Sequence, residues 1–157
     1  MSELRLVEVV GVRVEMPSNQ PIVLLKEVDG IRYLPIWVGA AEATSIAFAQ
    51  QGLTPPRPLT HDLIKNILDN LGTTVESVQV THLTDGVFFS KILLEKGIEV
   101  SARPSDAIAL ALRTGSPIYG TEAVFNSAGI EIPDQADDQV EAFREFLDQI
   151  NPEDFLG

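Results

Sequence analysis

The chain of 157 residues contains no cysteine. That excludes disulfides, thiolate metal sites and cysteine nucleophiles. It has no apolar run near the roughly 18 residues that a membrane-crossing helix needs, so no membrane association is expected. Its opening residues, Met1-Ser2-Glu3-Leu4-Arg5, show no basic stretch followed by an apolar one. A secretory signal is therefore not expected, and the expected location is the cytoplasm. No P-loop, Gly-rich dinucleotide fingerprint, zinc-ligand spacing or Gly-x-Ser-x-Gly elbow is present in the sequence. Basic residues are scarce too: 11 Lys and Arg stand against 23 Asp and Glu, a net charge of −12. The tail from Asp134 onward has eight acidic residues and only Arg144 to oppose them. A polyanion would not be steered to such a chain from a distance. Nucleic-acid chemistry would need a local basic site, a bound cation, or both.

What is there begins with valines at 7, 9, 10, 12 and 14, which predict a long strand over residues 4–16. Residues 17–21 read as a turn, Ile22-Val23-Leu24-Leu25 as a second strand, Asp29-Gly30 as a hairpin turn and residues 32–38 as a third strand. Pro35 places that third strand near an edge or a bulge. An alanine-rich helix follows, from Gly39-Ala40-Ala41-Glu42 to about Gln51, and a proline-rich loop leads to a second helix. Thr60 is expected to cap that helix, and Leu63, Ile64, Ile67, Leu68 and Leu71 give it an apolar face. Strands are predicted from Val75, over 87–94 and over 98–102, with Val78, Val80 and Leu83 facing one way. The stretch Arg103-Pro104-Ser105-Asp106-Ala107-Ile108-Ala109-Leu110-Ala111-Leu112-Arg113 reads as a smooth core helix, with Ser105 as its cap and Thr114-Gly115 as its end. A short extended piece at 117–119 and a short helix at 122–128 complete this part.

Laid side by side, the two halves each read strand, strand, strand, helix. Glu42-Ala43-Thr44-Ser45-Ile46-Ala47 lines up with Asp106-Ala107-Ile108-Ala109-Leu110-Ala111. The fold class expected is therefore α+β, a mainly antiparallel sheet with packed helices and a possible internal duplication. The expected division is a domain over 1–132 and an acidic linker with an amphipathic helix over 133–157, where Val140, Phe143, Leu147 and Ile150 recur at 3-4-3 spacing. A helix of that length is marginal alone, so it is expected to dock on its own domain, on a second subunit or on another protein.

Two clusters can carry chemistry. Arg57-Pro58-Leu59-Thr60-His61-Asp62 places a guanidinium, an imidazole and a carboxylate at a helix N-terminus, where free N–H groups favour anions. His61 would act as general base or acid, and Asp62 would orient it or hold a divalent cation. Because His61 and Asp62 are adjacent, they do not share a helix face, and a third group from elsewhere is needed. In Arg103-Pro104-Ser105-Asp106, Arg103 and Ser105 suit a phosphate and Asp106 a metal ion. The plainer alternative treats both clusters as caps and ion pairs, with His61 simply exposed. Glu42 has the same two readings. His82 reads as structural. Trp37, Phe88 and Phe89 read as core or interface rather than as a base-stacking platform.

These clusters, with Gly39-x-x-Glu42-Ala43 and Leu34-Pro35-Ile36-Trp37-Val38-Gly39 ahead of them, resemble the bifunctional nuclease domain family over roughly residues 5–132. The tail is similar to that of bacterial, actinobacterial-type members. The resemblance implies an α+β domain, often a homodimer or other homo-oligomer, and nuclease activity on RNA and DNA. Joined to the side-chain chemistry, it gives a metal-assisted phosphodiesterase as the leading expectation. Glu42, His61 and Asp62 would be catalytic, and Arg57, Arg103 and Ser105 would bind phosphate. Asp106 and Asp62 would hold Mg²⁺ or Mn²⁺. The alternatives are a non-enzymatic regulatory protein that uses its tail helix to dock a protein partner, and a binder of small anions. The enzyme reading requires the separate clusters to converge in one pocket.

Overall fold

The computed structural model describes residues 3–15 and 18–131. The linker and amphipathic helix expected over 133–157 lie outside the described residues. Alternating β-branched residues form β1 (Leu4–Glu15), which a hairpin joins to β2 (Gln20–Glu27), and β3 (Arg32–Trp37) completes a meander. Helix α1 (Ala40–Gln50) follows, then α2 (Thr60–Leu71). A second meander of β4 (Val75–Thr84), β5 (Val87–Leu94) and β6 (Ile98–Ala102) leads into α3 (Pro104–Thr114). The chain closes with β7 (Ile118–Thr121), α4 (Glu122–Ala128) and β8 (Ile130–Glu131). The α+β class and the repeated strand-strand-strand-helix order are both present.

All eight strands join one sheet in the order β6-β5-β4-β7-β1-β2-β3-β8. The two meanders flank β7, which runs antiparallel to β1 and parallel to β4. Pro35 sits where β3 has no partner on its outer side, because β8 reaches only Arg32 and Tyr33. That is the edge its missing N–H requires. A bulge between Val80 and His82 shifts the alternation of β4. The shift lets Leu83 reach the core face with Val78 and Val80, despite its odd number.

Helix α1 packs on β1 and β2, and α3 on β4 and β5. Their small residues, Ala43, Ala107, Ala109 and Ala111, let helix and sheet approach closely. Leu25, Leu34, Ile36, Ile46 and Ile108 are fully buried between them. Each contributes about 1.5–3 kcal/mol. Glu27 is also buried. Arg32 donates to both its oxygens at 2.8 and 2.9 Å, and then to Glu122 at 2.8 Å.

Two expectations need correction. Ser105 does not cap α3: Arg103 holds the cap position, Pro104 takes the first helical place and Ser105 lies inside, buried. Proline's fixed φ and missing N–H suit that first place better than serine does. Thr60 does not cap α2 either. Leu59 is the cap residue, and its backbone N–H donates to the Asp62 carboxylate at 3.0 Å. The apolar face of α2 is largely uncovered within the described chain, with Leu63 and Ile67 half exposed and Leu71 71% exposed. Trp37 and Phe89 are exposed, so of their two expected places, core or interface, the core is excluded, and Phe89 lies stacked on His82 with ring centroids 4.5 Å apart.

Candidate functional site

Helices α1 and α3 begin alike. Each has an extended cap residue, Gly39 or Arg103, and a carboxylate in the third helical position, Glu42 or Asp106. Because the helices pack against each other, these two first turns face a common space. Helix α2 lies on α3 and brings His61 to the same place.

The result is one chain of side-chain contacts. Ser45, on α1, holds its hydroxyl 2.6 Å from His61 Nδ1. His61 Nε2 stands 2.9 Å from Asp106 Oδ1. A carboxylate only accepts, so Nε2 carries the proton and donates. In the neutral ring Nδ1 then accepts from Ser45. The other oxygen of Asp106 accepts from Arg103 Nε at 2.8 Å. Arg103 Nη1 lies 3.6 Å from Glu42 Oε1. His61 and Ser45 are buried, His61 at 7%, while the Arg103 side chain is 65% exposed. The five residues line a cleft of about 570 Å³. Burial pushes the Asp106 carboxyl up, but hydrogen bonds from Arg103 and His61 outweigh this and hold it below the usual range.

Gly39 allows the close packing of Glu42. A Cβ there would stand 2.4 Å from Glu42 Oε1. The cap therefore has to be side-chain-free for the carboxylate to fold back over it.

Asp62 is elsewhere. Its Oδ1 accepts from Arg113 Nε at 2.7 Å, its Oδ2 accepts from Leu59, and it lines a separate cavity with Arg113. The hydrogen bond from Arg113 holds its carboxyl below the usual range. Arg113 also donates to the carbonyls of Ala109 at 2.9 Å and Ser45 at 3.2 Å, so one guanidinium ties together α1, α2 and α3. Arg57 is exposed, has no ion pair among the described residues, and does not line the cleft, though Pro58 beside it does. The structure thus unites Glu42, His61, Arg103 and Asp106, leaves Asp62 and Arg57 outside, and places Ser105 at a neighbouring cavity.

Sequence reasoning missed Ser45 and the structural part of Arg113. The available signal was a lone serine within an alanine-rich helix, at the position of α1 that corresponds to Ala109 in α3.

Among the described residues no group of three or more His, Asp and Glu side chains is placed to share a metal ion. The cation between the two cleft carboxylates is the guanidinium of Arg103.

Comparison with known proteins agrees with the sequence resemblance. Residues 23–133 match the bifunctional nuclease domain. An uncharacterized protein of Mycobacterium tuberculosis is 51% identical over 158 residues, covering 95% of this chain and 96% of its own length. Bifunctional nuclease 1 of Arabidopsis thaliana is 29% identical over 122 residues, and its rice counterpart (Oryza sativa subsp. indica) 26% over 120. Each of these matches covers 73% of this chain, which spans only 38% and 36% of the respective plant proteins.

Proposed function

The chain belongs to the bifunctional nuclease domain family, and from that membership we propose that it cleaves phosphodiester bonds in RNA, DNA or both at the α1–α3 cleft. One observation carries the proposal: the 2.9 Å contact of His61 with Asp106, which joins residues from separate elements to an exposed guanidinium.

Arg103 is the phosphate clamp. Its planar fork suits two non-bridging oxygens, and it stabilises the charge that gathers on them during attack. Asp106 holds Arg103 in place, and His61, fixed by Ser45, holds Asp106. Both oxygens of Asp106 are occupied, so Glu42 is the carboxylate left to act as base. Water attacks phosphorus and Glu42 takes its proton. The phosphorus–oxygen bond to the leaving sugar breaks, and that oxygen takes a proton from solvent.

The test is cleavage of single-stranded RNA and DNA by purified protein, with Mg²⁺ and with chelator, beside Arg103→Ala and His61→Ala. Activity lost in both variants and retained in chelator supports this scheme. Equal cleavage by both variants overturns it.

A second reading, an interaction protein without catalysis, is favoured by the stripe of Leu59, Leu63, Ile67 and Leu71 exposed along α2. A second copy of this chain would cover that stripe. A dimer that Ile67→Asp dissociates, with no cleavage in any preparation, would favour this reading.

A further inference from the structure

Trp37 ends β3 and is 47% exposed. It lines a cavity of about 320 Å³ together with Phe88 of β5. Five inter-strand spacings separate β3 from β5 in the sheet. A flat sheet would hold them about 24 Å apart, so strong curling brings the two aromatics to one space.

Two of this cavity's residues, Glu42 and Arg103, also line the cleft, so the two spaces are neighbours sharing the guanidinium. A third, Ser105, is 6% exposed and makes no side-chain hydrogen bond among the described residues. Buried hydroxyls are nearly always satisfied, by protein, water or ligand.

We infer that this cavity is the subsite for one unpaired nucleobase, stacked on Trp37, of the strand whose phosphate lies on Arg103. The inference rests on the nuclease reading above and names the form of the substrate. A phosphate alone has no use for an exposed indole, whereas every base has a face that stacks on one. Gln20 also lines the cavity. Its amide and the Ser105 hydroxyl supply both donors and acceptors to a base edge, so no single base is demanded. Bases within a duplex are stacked on one another and cannot enter. The site therefore takes single strands. Stacking also supplies binding that the chain's charge of −12 does not.

Trp37 is the chain's single tryptophan, so its emission reports this cavity alone. The protein is titrated in chelator with a single-stranded oligothymidylate, with an abasic strand of equal length, and with a duplex. The expected result is strong quenching by the oligothymidylate and several-fold less by the other two. Trp37→Ala should weaken oligothymidylate binding about 10-fold or more, and Trp37→Phe by no more than about 2-fold. Equal quenching by abasic and base-bearing strands, or no quenching at all, overturns the subsite. So does undiminished binding by Trp37→Ala. Base-dependent quenching without cleavage keeps the subsite and overturns the nuclease reading. Cleavage of abasic and base-bearing strands at one rate keeps the nuclease reading and overturns the subsite.

Discussion

His61 Nε2 donates to Asp106 Oδ1 at 2.9 Å across 45 residues of chain. Neither residue reaches the other through local sequence: α2 carries one and α3 the other. Only the packing of those helices makes the pair. It turns two ordinary helix starts into a site with a buried end at Ser45 and an exposed end at Arg103.

Removing the imidazole tests that link. His61→Ala leaves the Ser45 hydroxyl and one Asp106 oxygen without their partner. A buried polar group left unpaired costs about 1–3 kcal/mol. The melting temperature should fall by several degrees, and cleavage by at least about 10-fold as Asp106 and Arg103 lose their fixed geometry. Thermal melts beside cleavage assays check both. Full activity with a lowered melting temperature would reduce His61 to a packing role.

Arg103 makes the opposite prediction. Its side chain is 65% exposed. Arg103→Lys should change stability by no more than about 0.5 kcal/mol. A lysine keeps the charge but loses the fork. Cleavage should fall by about 10- to 100-fold while the melting temperature stays put, as side-by-side assays will show. Unchanged cleavage would remove Arg103 as the phosphate clamp.

Gly39→Ala probes Glu42 without touching it. The glycine has φ of −75°, which alanine adopts freely. The new Cβ would collide with the end of the Glu42 side chain, which can swing away. The fold should therefore hold while the base is displaced. About a 10-fold loss of turnover at unchanged melting temperature is expected from steady-state kinetics.

Much of the scaffold was legible in the sequence, because its signals are local. Valine alternation, Asp29-Gly30 and Gly115 mark strands and turns that need no tertiary partner to be read. Glu42 and Asp106 could be matched from the repeat, and both stand third in their helices. The caps were misread where two local signals competed: Pro104 displaced Ser105, and the Asp62 carboxylate stabilised a leucine cap. The partner of Asp62 was not legible, because Arg113 lies 51 residues away. Trp37 reads as core or interface because hydrophobicity alone does not choose between them, and nothing local says that a ring at a strand's end overhangs a cavity.

Arg113→Ala separates the structural role of Asp62 from a catalytic one. The guanidinium is buried and serves Asp62 and two carbonyls at once. Breaking a buried pair from one side costs about 3 kcal/mol or more. A large drop in melting temperature is expected, with Asp62→Asn giving a smaller one. At a temperature where Asp62→Asn is folded, its turnover should lie within about 2-fold of wild type. A folded Asp62→Asn that cannot cleave would return Asp62 to the catalytic set.

Acid stability also draws on carboxylates outside the cleft, Glu122 foremost. Hydrogen bonds from Arg32, and next from Arg5, pull the Glu122 carboxyl down to about 2 from its ordinary 4.5. The folded chain then binds fewer protons at this group than the unfolded chain does. Its contribution is complete above about pH 4.5 and disappears as pH falls toward 2. Glu27, held low first by its hydrogen bond from Arg32, adds a loss of the same sign. Denaturant melts at pH 6, about 4 and about 3 should therefore show wild-type stability falling with acid. Glu122→Gln cannot titrate there. It should start lower at pH 6 and fall less steeply, so that the two curves converge near pH 2–3. Parallel curves over that range would mean that Glu122 is not held by these arginines in solution.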